Sequence, residues 1–272
     1  MLTYSFMRIA FFVAILLGIA LPLVGSTTVY KRLSASGDAL AHSSLAGVAI
    51  GLASGLNPLF ISILTCVISF LIIELLRKKF QKFSELGVAV VLSASIGLAG
   101  ILSHYATKAN FDSYLFGSII LIGETELILT IILTALVILF SFLFYPHMFA
   151  LLYSEKEAKV NGVKVNLLNF FHSLLLSITI AVGAKVVGSL VVSSMIVLPT
   201  AIALLLKKGY KSTLFLSILF SLVAMIGGLT ISYYLEWAPG ATIVMTTIAL
   251  LVLVLLYRGI LVLIYKHKEK RK

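Results

Sequence analysis

The chain has 272 residues, 61% of them hydrophobic and 11% charged, with a mean hydropathy of +1.15. A soluble domain carries about twice that share of charge, so the composition points to a polytopic helical membrane protein. The net charge of +11 comes from short basic runs between apolar stretches, which is the pattern of membrane-protein loops and not of a nucleic-acid surface.

Nine apolar stretches follow one another near residues 7–30, 38–56, 58–76, 86–104, 124–148, 166–183, 185–206, 212–234 and 239–264. Each approaches the roughly 20 residues that cross a hydrocarbon core of about 30 Å. The predicted fold is all-α, a polytopic transmembrane helical bundle of eight or nine spans forming a single domain over residues 1–272. Pro22 lies inside the first stretch and predicts a kink; Pro58, Pro199 and Pro239 fall at or near stretch ends, where a missing N–H does least harm. Arg8 precedes the first apolar run, so a cleaved signal peptide is the alternative reading there. The length of the run and the lack of a small-x-small site oppose it. Residues 105–123 make the longest external connection, and its part 113–123 is too short to span, so it reads as an interfacial or re-entrant helix.

Five runs, Lys31/Arg32, Arg77 to Lys82, Lys156 to Lys164, Lys207 to Lys211 and Lys266 to Lys272, hold 17 of the 21 Lys and Arg residues. Nine spans put all five on one side, which the positive-inside rule makes cytoplasmic. The N-terminus is then outside and the C-terminus inside. The one cysteine, Cys66, lies in an apolar run, which excludes a disulfide framework and a Cys-based zinc site. No Walker A sequence occurs, so any nucleotide hydrolysis belongs to another subunit.

The most informative feature is Gly37-Asp-Ala-Leu-Ala-His-Ser-Ser-Leu-Ala-Gly47. Helical spacing stacks Asp38 and His42 on one face, one turn apart. Ionisable groups are costly in a bilayer, so the pair is a candidate site for a metal ion. Zinc accepts such oxygen and nitrogen donors, and manganese accepts them with more oxygen. Two ligands are half of a closed tetrahedral site; a second copy of the chain or water would complete it. The competing structural reading makes Asp38 an N-cap and His42 a hydrogen-bonded core histidine. On the inner face, Tyr153-Ser-Glu-Lys-Glu-Ala-Lys-Val-Asn-Gly-Val163 predicts a short amphipathic helix that ends at Gly162.

Four segments together resemble the membrane permeases of bacterial ABC transporters for zinc and manganese uptake. They are Gly25-Ser-Thr-Thr-Val-Tyr-Lys-Arg-Leu-Ser34 leading into the Asp38/His42 motif, Asp112-Ser-Tyr-Leu-Phe-Gly117, Val186 to Ala201, and Gly227-Gly-Leu-Thr230 with Ala238-Pro-Gly240. The form of the Asp38/His42 motif is closer to the zinc branch. The resemblance implies a type II ABC importer permease in the bacterial plasma membrane, not an enzyme by itself. It implies a homodimer with a cytoplasmic ATPase subunit and an extracytoplasmic metal-binding protein. Zn2+ (or Mn2+) would be the transported substrate, with no permanently bound cofactor. The family's channel site falls on Asp38 and His42, and its coupling helix on Glu155, Glu157, Ala158 and Gly162.

Among other polar residues, Lys185 is expected to snorkel to the external surface. His172 is expected to make an interhelical hydrogen bond, and Glu236 with Trp237 and Pro239 an interfacial turn. His104 and Asp112 lie in the external connection, either to guide a cation or simply solvated. Gly47, Gly51 and Gly55 form a small-residue stripe suited to helix packing. The alternative functions are a manganese or iron permease of the same class, an ion-gradient-driven secondary transporter, and a scaffold. The scarcity of intramembrane carboxylates and the lack of an internal repeat count against the secondary transporter.

Overall fold

The computed structural model describes residues 4–80, 85–104, 114, 115, 117 and 122–269, with side chains as far as residue 260. The described residues are almost wholly helical. In chain order the helices are α1 (Ser5–Tyr30), α2 (Ser34–Ser54), α3 (Pro58–Lys79), α4 (Leu86–Ser103), α5 (Glu124–Leu143), α6 (Tyr145–Tyr153), α7 (Glu155–Val160), α8 (Val165–Val187), α9 (Ser189–Leu205), α10 (Tyr210–Leu235) and α11 (Pro239–Glu269). Most of the 105–123 connection, including Asp112 and the expected re-entrant helix, lies outside the described residues, as do Lys82 and the last three residues.

All nine apolar stretches become helix, but among the described residues seven helices are both long and apolar enough to span: α1, α3, α4, α5, α8, α10 and α11. The expectation of eight or nine spans is corrected to seven by that measure. The two exceptions have different causes. The 21-residue α2 is long enough, but Asp38, His42 and its Ser and Gly content keep it too polar. The 17-residue α9 reaches only about 26 Å at 1.5 Å per residue. Both are interior helices. Twelve residues of α2 are buried, against α3, α4, α8 and α9, and α9 is enclosed by α1, α10 and α11. A helix clad in protein is freed from the hydropathy that lipid demands. The lipid-facing sides of the outer helices are apolar instead, as on α3 with Phe60, Leu64, Ile68 and Leu75.

Three boundaries differ from the sequence reading. The 124–148 stretch divides at Phe144, where Pro146 sits at the start of α6 and suits a first helical turn. The break between α8 and α9 falls at Gly188, whose φ of 100° and ψ of 145° belong to a region open to glycine alone. Pro199 lies within α9, buried, and not near a helix end; Pro22 likewise lies inside α1. Pro58 and Pro239 open α3 and α11 as expected.

The main core is an apolar cluster to which α1 contributes Val13, Leu17 and Leu21 at 0% exposure. The first apolar run is thus a structural part of the bundle. Close helix crossings depend on absent side chains. A Cβ at Gly25 would lie 2.2 Å from the Ile196 carbonyl oxygen of α9, and one at Gly47 would lie 2.6 Å from the Ser62 Cα of α3. Of the expected stripe, Gly47 and Gly51 pack on α3, whereas Gly55 ends α2 in the left-handed region at φ 70°. Gly25→Val should destabilise the bundle by roughly 1–3 kcal/mol through overpacking. Gly97→Ala, which meets nothing within 4 Å, should be neutral or stabilising. Thermal unfolding of the two variants in detergent checks the contrast.

Candidate functional site

Asp38 lies five residues into α2, which begins at Ser34 after an N-cap at Leu33 that lends no side-chain hydrogen bond. It is too far along the helix to cap it, so the N-cap reading falls. His42 Nε2 and Asp38 Oδ1 are 3.9 Å apart, with side chains 25% and 49% exposed respectively. That separation is too long for a hydrogen bond, which leaves donor atoms on both groups. It is close to the edge of about 3.4 Å of a tetrahedron with zinc-ligand bonds near 2.1 Å. A side-chain adjustment of about half an ångström would let one ion touch both.

The rest of α2 is held tightly. Ser43 Oγ and Ser95 Oγ of α4 are 2.8 Å apart, and Ser44 Oγ and Ser62 Oγ of α3 are also 2.8 Å apart. The Cys66 thiol of α3 donates to the Leu40 carbonyl at 3.3 Å. Gly37 abuts Ile196 of α9. Buried residues surround the pair in sequence, and Ala35, Asp38 and His42 make the open stripe of this half of α2. No group of three or more His, Cys, Asp or Glu side chains that could hold a metal occurs among the described residues.

At the end of the bundle nearest Asp38, the chain places α7. Gly162 turns the chain at φ +79°, as the sequence predicts, and Ser154 Oγ, not read as a cap from the sequence, accepts the Glu157 N–H at 3.3 Å. Ala158 is buried with Met148, Leu151, Val165 and Leu168, so the short helix is seated on α6 and α8. Glu155 and Lys159 pair across one turn at 3.3 Å. The outer side is open: Tyr153 and Val160 are 80% and 86% exposed. An apolar groove lined by Phe144, His147, Val163, Leu167 and Phe171 runs beside it.

Two interactions were not legible from spacing. Lys31, at the corner between α1 and α2, donates to Asn169 Oδ1 of α8. Burial pushes its amine down to about 8, with Arg77 adding to the effect and Glu155 and Glu74 opposing it. Lys185 does not snorkel: its Nζ lies 2.5 Å from Glu126 Oε1 of α5, with side chains only 20% and 13% exposed. The Tyr114 ring centroid is 6.0 Å from the same amine. Both pairs join residues far apart in sequence, where no periodicity signals a contact. His172 behaves as expected, with its Nε2–H donating to the Val24 carbonyl at 3.1 Å. Trp237 is exposed beside the turn at Glu236, and its carbonyl accepts the Ser232 hydroxyl at 2.7 Å.

A multi-span helical bundle with a half-open carboxylate–imidazole pair on an interior helix defines a membrane permease in outline. The model of the ABC 3 transport family matches residues 3–258, and the chain belongs to that family. It is 38% identical over 256 residues, 94% of this chain and 96% of the relative, to the Treponema pallidum protein named "Probable metal transport system membrane protein". It is 29% identical to the high-affinity zinc uptake system membrane protein ZnuB of Haemophilus influenzae, over 91% of this chain and 97% of that protein. It is also 29% identical to the manganese transport system membrane protein MntC of Listeria monocytogenes, over 99% and 97%. Among solved structures, PsaBC from Streptococcus pneumoniae in complex with Fab superposes with a TM-score of 0.83 at 27% identity, covering 92% of this chain and 91% of that one.

The half-buried ion pair yields a prediction. Lys185→Met alone should destabilise the protein by about 1–3 kcal/mol, because it leaves the Glu126 carboxylate without its partner. Lys185→Met combined with Glu126→Leu should recover most of that loss. Thermal unfolding of the single and double variants checks it.

Proposed function

We propose that this chain is the membrane permease of an ATP-driven importer that moves zinc into the cytoplasm. The observation that carries the reading is the Asp38–His42 pair, one turn apart and 3.9 Å between donors, on the open stripe of a helix otherwise sealed by its neighbours. A carboxylate and a neutral imidazole suit zinc. Two copies of the chain would bring the pairs together as a site of two oxygens and two nitrogens. The incomplete half-site suits transport, which needs an ion bound firmly enough to enter and loosely enough to leave. The names of the zinc, manganese and other metal-transport relatives support the cargo class.

ATP hydrolysis would reside on a separate cytoplasmic subunit docked on the exposed Glu155, Glu157 and Gly162 of the α7 segment, with Ala158 seating that segment on the bundle. The exposure of Tyr153 and Val160 and the apolar groove beside α7 fit such a contact. An extracytoplasmic metal-binding protein would deliver the ion from the opposite side. Lys31 and Arg77 line one cavity, which requires the interior α2 to cross the membrane as well as α3. With α2 and α9 counted beside the seven apolar spans, the basic runs share one face, and the N-terminus would be outside and the C-terminus cytoplasmic in a bacterial plasma membrane. The second reading is a manganese or iron permease of the same class, favoured by the equal 29% identity to the zinc and manganese relatives.

Asp38→Ala and His42→Ala should each reduce metal uptake to background while membrane abundance stays unchanged, measured in cells that depend on this subunit. Normal uptake in either variant would remove the site. In competition uptake with the native chain, zinc should displace manganese and iron at equal concentration. Displacement of zinc by manganese would move the cargo to the second reading.

A further inference from the structure

We propose that Lys31 is a positioning residue that links the coupling helix α7 to the helix carrying Asp38 and His42. The inference rests on the reading of the chain as an ATP-driven permease. Helix α7 cannot move independently of the start of α8. The Val163 N–H donates to the Ala158 carbonyl at 3.0 Å, and Ala158 shares a buried cluster with Val165 and Leu168. Asn169 follows Leu168 on α8, and its side-chain oxygen accepts the Lys31 amine. Lys31 in turn belongs to a locked corner. The N–H groups of Lys31, Arg32 and Leu33 donate to the carbonyls of Thr27, Val29 and Thr28 at 3.0, 3.0 and 2.9 Å. Arg32 holds a φ of 58°, uncommon for a residue with a Cβ. Helix α2 begins at Ser34, about one turn ahead of Asp38. A displacement of α7 thus reaches the first turn of α2 through one side-chain hydrogen bond.

The surroundings explain why a lysine holds this place. Lys31, Ser36, Glu74, Arg77, Asn169 and His172 line one polar cavity at the end of the bundle, with residues from α1 to α3 and α8. Glu155, the first residue of α7, acts on the amine from the coupling helix, Glu74 and Arg77 act from α3, and His172 faces the same cavity from α8. A charged donor strengthens the bond to the Asn169 oxygen. Since burial holds the amine near 8, the charge is present below that pH and is lost as pH rises through it. Asn169 itself has no charge to lose, so the titration belongs to Lys31.

The test is the complex of this chain with its ATPase subunit in liposomes supplied with its zinc-loaded metal-binding protein, with ATP hydrolysis and radioactive zinc uptake followed in the same vesicles. Wild-type vesicles report on the functional reading: hydrolysis without zinc movement would overturn that reading itself. Given transport, Lys31→Met and Asn169→Leu should retain hydrolysis while zinc moved per ATP falls about tenfold, within the roughly 5–150-fold range of coupling effects. In the native chain zinc per ATP should fall as pH rises through about 8. Lys31→Arg, which stays charged, should keep transport and flatten that fall. An unchanged ratio in Lys31→Met, or an equal loss of hydrolysis and transport in all three variants, would overturn the role of Lys31.

Discussion

The structure depends on one constraint: a helix that carries ionisable side chains through an apolar medium must have every other polar group matched. Helix α2 meets it by being sealed on several sides. Ser43 and Ser44 are matched by hydroxyls of Ser95 and Ser62, and the Leu40 carbonyl receives the Cys66 thiol. Gly47 and Gly51 bring its backbone against α3. What stays open is the stripe with Asp38 and His42. Their availability is a consequence of how completely the remainder of α2 is occupied, and the same packing fixes where the two donors point.

The two ends of the bundle are built for different tasks. At one end Lys31, Glu74, Arg77, Asn169 and Glu155 converge on the corner between α1 and α2, beside the seated α7. At the other, the Lys185–Glu126 pair ties the end of α8 to the first turn of α5, next to the joint at Gly188. A Cβ on Gly117 would lie 2.2 Å from the Val187 carbonyl at that joint, so Gly117 is packed directly against it. The apolar body between these ends supplies the bulk of the core, while the charged contacts sit where helices begin and end.

Local pattern made much of this legible in the sequence. Runs of apolar residues gave the helices, the Asp38/His42 spacing gave a shared face, and Gly162 marked the end of α7. The span count was less legible, because hydropathy describes contact with lipid and α2 and α9 are surrounded by protein. The position of Pro199 inside α9 escaped notice for a related reason: the run around it is apolar on both sides, so nothing local marks where the helix stops. Lys185 was misjudged because a lysine beside a span normally reaches for water, and its partner Glu126 lies 59 positions away. Lys31 and Asn169, 138 positions apart, could not be paired from one sequence. Spacing reads contacts within a helix; contacts between helices need the fold.

The most direct measurement is the zinc content and X-ray absorption spectrum of the purified, metal-loaded permease. A site shared between two copies predicts one zinc per two chains, bound by oxygen and nitrogen only, and lost when Asp38 and His42 are both replaced by Ala. One zinc per chain, sulfur in the coordination shell, or a spectrum untouched by the double replacement would contradict it.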